Sequence, residues 1–384
     1  MNMSSFPTKR LAEVASKIQD GTHFSPRLGG GKFKYITSKN IGFGSLRLRS
    51  VERISREEHE KIYRRADTRF GDVLLTKDGA NTGNSALNTF NEEISLLSSV
   101  AFIRANPKLS SETFILQYLL SGDGQRQIAD AMAGNAITRL TLAKIKDLMV
   151  PVPDLSEQRR IGTILADVDS LVASLERLIT KKRAIKQGMM QELLTGRTRL
   201  PGFAGRWHLK KFADLLSYQQ PGQFLVSSTD YVDTGIPVLT AGKTFVLGHT
   251  TETIGIYNSL PVIIFDDFTT ESKYVDFPFK AKSSAMKILS AKPGVDLRFA
   301  FERMQLVDYA AVDRKLRWIG EYSKLEVDGP PIEEQRAIAR VAADADAAII
   351  LLECRLGATR AIKQGMMQEL LTGRTRLVPT GTSA

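Results

Sequence analysis

Ala184 to Leu200 reads AIKQGMMQELLTGRTRL, and Ala361 to Leu377 repeats the same 17 residues, displaced by 177 positions. The match extends backwards at that offset. Glu157-Gln158-Arg159 returns as Glu334-Gln335-Arg336, Ala166-Asp167 with Asp169 as Ala343-Asp344 with Asp346, and Leu175-Glu176 as Leu352-Glu353. Between residues 157–200 and 334–377, 27 of 44 positions agree, far beyond chance. Two copies at so long a period do not make a solenoid. The layout is variable region, repeat, variable region, repeat. It divides into a first domain over 1–155, a helical spacer over 156–200, a second domain over 201–331, and a distal helical spacer with a C-terminal tail over 332–384.

The first copy of the repeat reads as one long helix. Val150-Pro151-Val152-Pro153 is extended, because proline restricts itself and its predecessor. Ser156 is placed to N-cap, and Glu157 suits the positive end of the helix dipole. Ile161, Ile164, Val168, Leu171, Leu175, Leu178, Lys182, Ile185 and Met189 then follow 3-4 spacing, with only Lys182 breaking the apolar seam. That is a coiled-coil pattern of about four heptads. Gly196 is a C-terminal stop, so the helix spans about 40 residues, or about 60 Å. The second copy keeps Ile338, Val341, Ala345, Ile349, Leu352 and Leu356. Gly188 and Gly365 sit inside both helices, where glycine costs roughly 1 kcal/mol relative to alanine, and so suggest close packing or a break. Two similar helices in one chain most simply pack on each other antiparallel, making the chain a pseudo-dimer.

The variable regions mix strands and helices. In the first, Lys34–Thr37, Asp72–Thr76 and Ser99–Ile103 read as strands, and Thr113–Leu120 and Gly124–Met132 as helices. In the second, Ile236–Thr240 and Pro261–Phe265 read as strands. The fold class is therefore α/β (α+β), with two globular domains separated by two long helices in a pseudo-twofold arrangement.

The whole chain has 384 residues, of which 53 are Lys or Arg and 42 Asp or Glu, so its net charge is +11. This balance favours a polyanionic partner. The first domain carries 22 basic and 16 acidic residues; the second carries 15 of each. Within the second, Lys273, Lys280, Lys282, Lys287 and Lys292 interleave with Tyr274, Phe277 and Phe279, a mixture that suits a phosphate-contacting surface. The single cysteine, Cys354, excludes an internal disulfide framework and points to a cytoplasmic setting. The N-terminus has no apolar signal region, and no apolar run approaches 18 residues, which excludes a membrane span.

Catalytic motifs are mostly absent. Gly235 to Thr244 fails as a phosphate-binding loop because Pro237 stands where glycine is needed, and Gly29-Gly30-Gly31-Lys32 is followed by Phe33. Asp328-Gly329-Pro330-Pro331-Ile332 has glycine and isoleucine in the wrong places for an amino-methyltransferase motif. His23, His59, His208 and His249 show no metal-ligand spacing. Asp266-Asp267 followed by Glu271 and Lys273 is the one set that a metal-dependent nuclease could use, holding Mg²⁺ and activating water.

With these features assembled, the chain resembles the specificity subunit of Type I restriction-modification systems. Pro151 to Ile161, running to Leu193-Leu194-Thr195-Gly196, resembles that family's central conserved region. Glu334 to Ile338, running to Leu370-Leu371-Thr372-Gly373, resembles its distal copy. Asp20-Gly21-Thr22-His23, Gly71 to Gly79 and Arg139-Leu140-Thr141-Leu142 resemble its target-recognition domains. The second domain lacks those motifs, and its Phe265 to Thr270 looks like a different recognition class. The resemblance implies that each domain reads one half of a split, asymmetric site in double-stranded DNA. The helix pair would set the half-sites on the order of 34–36 Å apart. The chain itself would carry no catalytic centre, metal or cofactor. Its implied partners are two methyltransferase subunits using S-adenosylmethionine and restriction subunits using ATP and Mg²⁺.

Turn residues with donors are the candidate DNA contacts: Thr22, His23, Lys39, Asn40, Lys77 and Thr82 in the first domain, and Tyr218, Lys243, Thr269, Thr270, Lys273 and Lys282 in the second. Arg183, Lys186 and Gln191, with their repeat counterparts Arg360, Lys363 and Gln368, are the candidate partner-binding residues. A stand-alone nuclease and a helical scaffold for protein partners are the alternative readings.

Overall fold

The structure is a computed structural model and describes residues 6–133, 139–240, 244–307 and 318–377. The chain forms two compact units. The first comprises Met1–Arg177 with Glu353–Ala384, and the second Leu178–Leu352. In chain order the first unit opens with β1 (Thr8–Arg10), α1 (Leu11–Val14), β2 (Ala15–Asp20), β3 (Leu28–Ile36), β4 (Glu52–Ile54) and α2 (Arg56–Tyr63). Next come β5 (Val73–Thr76), β6 (Ser85–Leu87), β7 (Ile94–Leu96), β8 (Val100–Ala105), α3 (Glu112–Leu120), α4 (Gly122–Met132), α5 (Leu142–Asp147) and β9 (Met149–Pro151). Helix α6 (Leu155–Leu194) follows. The second unit holds β10 (His208–Lys211), α7 (Phe212–Leu215), β11 (Leu216–Gln219), β12 (Ile236–Leu239), β13 (Val246–Thr250), β14 (Val262–Asp266) and β15 (Ser272–Val275). It continues through β16 (Lys280–Ala281), β17 (Met286–Ala291), α8 (Leu297–Gln305) and β18 (Glu326–Gly329) into α9 (Ile332–Leu370).

The two units repeat one topology although their sequences differ. Each has a four-stranded sheet, ordered β2-β8-β5-β6 in the first and β11-β17-β14-β15 in the second. Each has a three-stranded sheet, β4-β3-β7 and β13-β12-β16, whose central strand pairs antiparallel on one side and parallel on the other. Each entry strand also pairs antiparallel with the strand just before a long helix, β1 with β9 and β10 with β18.

Strand periodicity explains the layering. Val73 and Leu75 point from β5 into a core with α3, while Leu74 points to the three-stranded sheet. Ile263 and Phe265 of β14 likewise face α8, while Val262 and Ile264 face the three-stranded sheet. Both faces are covered, so these strands read as continuous apolar runs instead of alternating ones.

Antiparallel packing of the long helices is seen inside each unit. In the first, Asp169 of α6 pairs with Lys363 of α9 and Glu176 with Arg360. In the second, Lys186 of α6 pairs with Asp346 of α9 at 2.7 Å. Lys186–Asp346 and Lys363–Asp169 are the same pair seen from the two copies of the repeat.

Three details of the helix reading are corrected. Helix α6 starts at Leu155, and Asp154, not Ser156, takes the cap: its carboxylate accepts from the Glu157 N–H at 2.9 Å. The seam register also differs. Ile161 and Leu175 of the predicted seam are buried, but Leu171, Leu178 and Ile185 are 40%, 40% and 50% exposed, whereas Leu165, Ile179 and Met190 are buried. Ile164-Leu165, Leu171-Val172 and Leu178-Ile179 are adjacent apolar pairs, so either member satisfies a 3-4 pattern, and packing chose the second. Lys186, paired with Asp346, is accordingly the polar member of the seam, and Lys182 is exposed. Finally, Gly188 and Gly365 mark neither close packing nor a break. The helices run through them, and an added Cβ would meet nothing within 4 Å.

Candidate nucleic-acid interface

In the first unit the candidate residues gather where β2 and β5 end. Gly21 follows β2 so closely against the neighbouring chain that a Cβ would lie 2.0 Å from the Leu96 carbonyl oxygen. Only glycine fits. Thr22 is buried; its N–H donates to Leu96 O and its hydroxyl accepts from Phe24 N–H. The turn thus projects His23 outward, with its Nε2 3.3 Å from Asp20. Asp20 is buried and also receives Arg65 at 2.8 Å and Gln19 at 3.1 Å.

Lys77 is buried beside Asp20 at 3.5 Å and Asp78 at 3.0 Å. These two carboxylates hold it at the end of the sheet. Asn40 is buried as well. Its amide donates to Arg47 O and Ser50 O and accepts from Thr37 N–H, locking its own loop. Thr82 donates to Gly79 O at 2.7 Å within its turn. Lys39 and His23 remain accessible. A depression of about 440 Å³ lies next to His23, lined also by Phe24, Lys61 and Arg65. Asp72, within the second motif of this domain, holds Arg104 through two bonds of 2.9 Å. Burial works against the Arg104 charge, but Asp72 and Asp67 outweigh it and raise its pKa.

In the second unit, Lys273 and Thr269 are exposed, Tyr218 is half exposed, and Lys282 is partly buried with its N–H donating to Leu239 O. Thr270 sits at φ 63° and donates its hydroxyl to Thr269 O. Lys243 lies outside the described residues. The expected basic-aromatic surface dissolves, because several of its residues lie in strands buried along consecutive positions. Phe279, Lys280 and Lys287 are buried. Lys280 reaches Glu252 and the Ile254 carbonyl, each at 2.6 Å.

That contact has a pH signature. Lys280, together with backbone donors from Ser228 and Ser227, pulls the Glu252 carboxyl down to about 2. A lowered folded-state pKa contributes stability above the unfolded value, and that contribution is lost as pH falls from about 4.5 through about 2. Acid titration of the second unit's amide-exchange protection should therefore fall across this window in the native chain. The Glu252→Gln variant should start lower and change less there. Parallel titration curves would contradict the assignment.

The nuclease set does not assemble. Asp266 accepts the Phe268 N–H at 2.8 Å, and Asp267 accepts the Trp318 N–H at 2.8 Å and pairs with Lys287 at 2.7 Å. Among the described residues no group of three or more His, Cys, Asp or Glu is placed to hold a metal ion. Leu75 and Phe265 face the helix side of their sheets, so Lys77 and Asp267, two residues on, occupy the same place. One unit has a buried cation there and the other a buried anion, each neutralised by a residue from another strand or its end.

The repeat itself carries residues that the sequence did not mark as functional. Glu157 is buried and receives the guanidinium of Arg376 at 2.7–3.0 Å and the Leu377 N–H at 3.2 Å. Its counterpart Glu334 receives Arg199. Each copy's first glutamate thus holds the other copy's terminal arginine. Arg376 also lies over Phe6 at 4.8 Å, and Arg199 over Trp207 at 5.5 Å. The glutamines next in line tie helix starts to the repeat: Gln158 accepts from Ser111 N–H and Gln335 from Asp296 N–H, each at 3.0 Å. The identical offset of 177 was the available signal.

Of the candidate partner-binding residues, Lys186 and Lys363 are committed to the helix pairing, and Arg360 joins it through Glu176. Arg183, Gln191, Arg360 and Gln368 are exposed. Arg360, Gln364, Met367 and Gln368 line a groove of about 650 Å³ in the first unit, closed by Phe43 and the start of α4.

Residues 3–187 match the family described as the Type I restriction modification DNA specificity domain. The chain is 46% identical over 134 residues to the Type I restriction enzyme EcoR124I/EcoR124II specificity subunit of Escherichia coli, an alignment covering 33% of each chain. Thus this relative is matched over about a third of its length. The chain is 24% identical over 315 residues to the putative type I restriction enzyme MjaX specificity subunit of Methanocaldococcus jannaschii, covering 73% of this chain and 72% of that one. In fold it is similar to the S subunit of the Type-I restriction-modification system of M. genitalium, with a TM-score of 0.65 at 15% identity over 97% of both chains. A chain from a structure of type I R-M complex assembly and conformational transition gives a TM-score of 0.53 at 14% identity, covering 97% of this chain and 98% of that one. No helix of the described residues is long and apolar enough to cross a membrane.

Proposed function

We propose that the chain is the sequence-specific DNA-binding subunit of a Type I restriction-modification complex. One observation carries this reading: two units share a topology strand for strand yet present unlike chemistry at the ends of their four-stranded sheets. A repeated scaffold with two different reading ends suits an asymmetric, split DNA site, one half per unit. Phosphate contacts would position each unit and loop residues would read base edges. His23 and Lys39 serve this role in the first unit, and Tyr218, Thr269 and Lys273 in the second.

The chain acts without a catalytic centre of its own. S-adenosylmethionine belongs to two methyltransferase subunits, and ATP and Mg²⁺ to the restriction subunits. Arg183 with Gln191, and Arg360 with Gln368, provide equivalent docking points on the two copies of the repeat, supported by their shared exposure and the groove beside Arg360.

Single-molecule modification sequencing of host DNA, with and without the gene, tests the reading. The expected result is loss of one split, asymmetric N6-methyladenine motif on deletion. An unchanged methylation pattern in a host with an active methyltransferase partner would overturn it.

A further inference from the structure

Phe268 sits in the turn between β14 and β15 and is 45% exposed, outside the three apolar cores of its unit. The turn around it is closed by hydrogen bonds. Asp266 accepts the Phe268 N–H, Thr270 N–H donates to Asp266 O at 2.9 Å, and Asp266 N–H donates to Glu271 O at 2.8 Å. The preceding residue, Asp267, is held by Lys287 and by the Trp318 N–H.

The part of the ring left in water adds nothing to folding, since its stabilisation comes only on leaving water. Nor does the shared topology demand it: the equivalent place in the first unit is Asp78, one residue beyond Lys77. The neighbours of Phe268 suit a nucleic acid. Thr269 and Lys273 are exposed on the same hairpin, and Glu271 is the one acid of the turn that faces solvent. The whole second domain is charge-neutral, so it draws less on phosphate neutralisation than the first and needs other contacts.

We propose that Phe268 packs against the C5 methyl of a thymine in the half-site read by the second unit. The inference rests on the DNA-reading function proposed above. Among the four bases, thymine alone carries an apolar group on the major-groove edge, and phenylalanine is a side chain that meets it. The first unit has Asp78 in that place.

The test uses the full chain with its methyltransferase partner. Modification sequencing first gives the native motif. Each thymine of that motif is then replaced by deoxyuridine in duplex oligonucleotides, which removes one methyl group and changes no protein. Replacing one thymine, confined to one half-site, should weaken binding roughly tenfold, the scale of a single methyl in an apolar contact. The Phe268→Ala variant should bind native and uracil-substituted duplexes alike, and Phe268→Leu should keep the preference. Native protein indifferent to uracil at every thymine, or Phe268→Ala retaining the preference, would overturn the inference while leaving the DNA-reading function standing. Absence of any native motif would remove that function and the inference with it.

Discussion

Gln158→Ala lowers the stability of the first unit by roughly 3 kcal/mol, because it strands several buried backbone groups at about 1–3 kcal/mol each, less what entering water restores. The side chain is almost wholly enclosed. Its oxygen accepts from Ser111 N–H at 3.0 Å, at the start of α3, and its nitrogen donates to Leu109 O at 3.0 Å and Pro153 O at 2.9 Å. One residue therefore joins the loop before α3, the extended segment before α6, and α6 itself. Gln158→Met, of similar length, should lose nearly as much, because the loss comes from polar partners and not from volume. Urea unfolding followed by amide exchange around Ser111 measures this. A loss within experimental error for both variants would refute it.

The repeat supplies an internal control. Gln335 accepts from Asp296 N–H at 3.0 Å and donates to Pro330 O at 2.8 Å, one partner fewer than Gln158. Gln335→Ala should accordingly destabilise the second unit by less, roughly 2 kcal/mol. The glutamates beside these glutamines reach across to the opposite copy's arginine. The Glu-Gln pair of each copy thus does two jobs: the glutamine fastens a domain helix and the glutamate fastens the other copy. That explains why the two domains have diverged while the short Glu-Gln-Arg run and the terminal Arg-Thr-Arg-Leu run remain identical.

The helices, their antiparallel pairing and the strands β5, β8, β12 and β14 were legible because they depend on local pattern. Three things were not. The common topology of the domains was hidden, since it rests on pairing order and almost any apolar strand satisfies it. The seam register was ambiguous wherever two apolar residues adjoin, as at Leu178-Ile179. The fate of the lysines was hidden because their partners are remote in sequence: Lys77 meets Asp20, Lys280 meets Glu252 and Lys287 meets Asp267. Counting such lysines as surface charge inflated the basic face of the second domain. Most of the accessible donors among the candidates, His23, Lys39, Thr269 and Lys273, lie in or beside turns, where backbone chemistry is readable but direction is not.

The largest loss in the second unit is expected from Lys287→Met. Lys287 and Asp267 have side chains only 3% and 1% exposed, 2.7 Å apart, at the end of the four-stranded sheet. Removing one partner of a buried pair leaves a charge without its counterion in a poorly solvated place, which costs about 3–5 kcal/mol. Asp267→Asn should cost less, because a neutral amide oxygen still accepts the Trp318 N–H. The double variant Lys287→Met with Asp267→Asn should recover much of the loss, since no charge then remains buried, and a double-mutant cycle on urea unfolding reads the coupling directly. The same variants separate a structural pair from a metal site. A carboxylate meant for a cation would gain affinity once the lysine is gone, so Mn²⁺ would raise the melting temperature of Lys287→Met. The buried pair predicts no such rise. Asp267 faces Lys287 and the Trp318 backbone, Asp266 is turned to its own loop, and Lys273 points to solvent. With these three groups aimed apart, removing the lysine exposes a destabilised fold and not a latent catalytic centre.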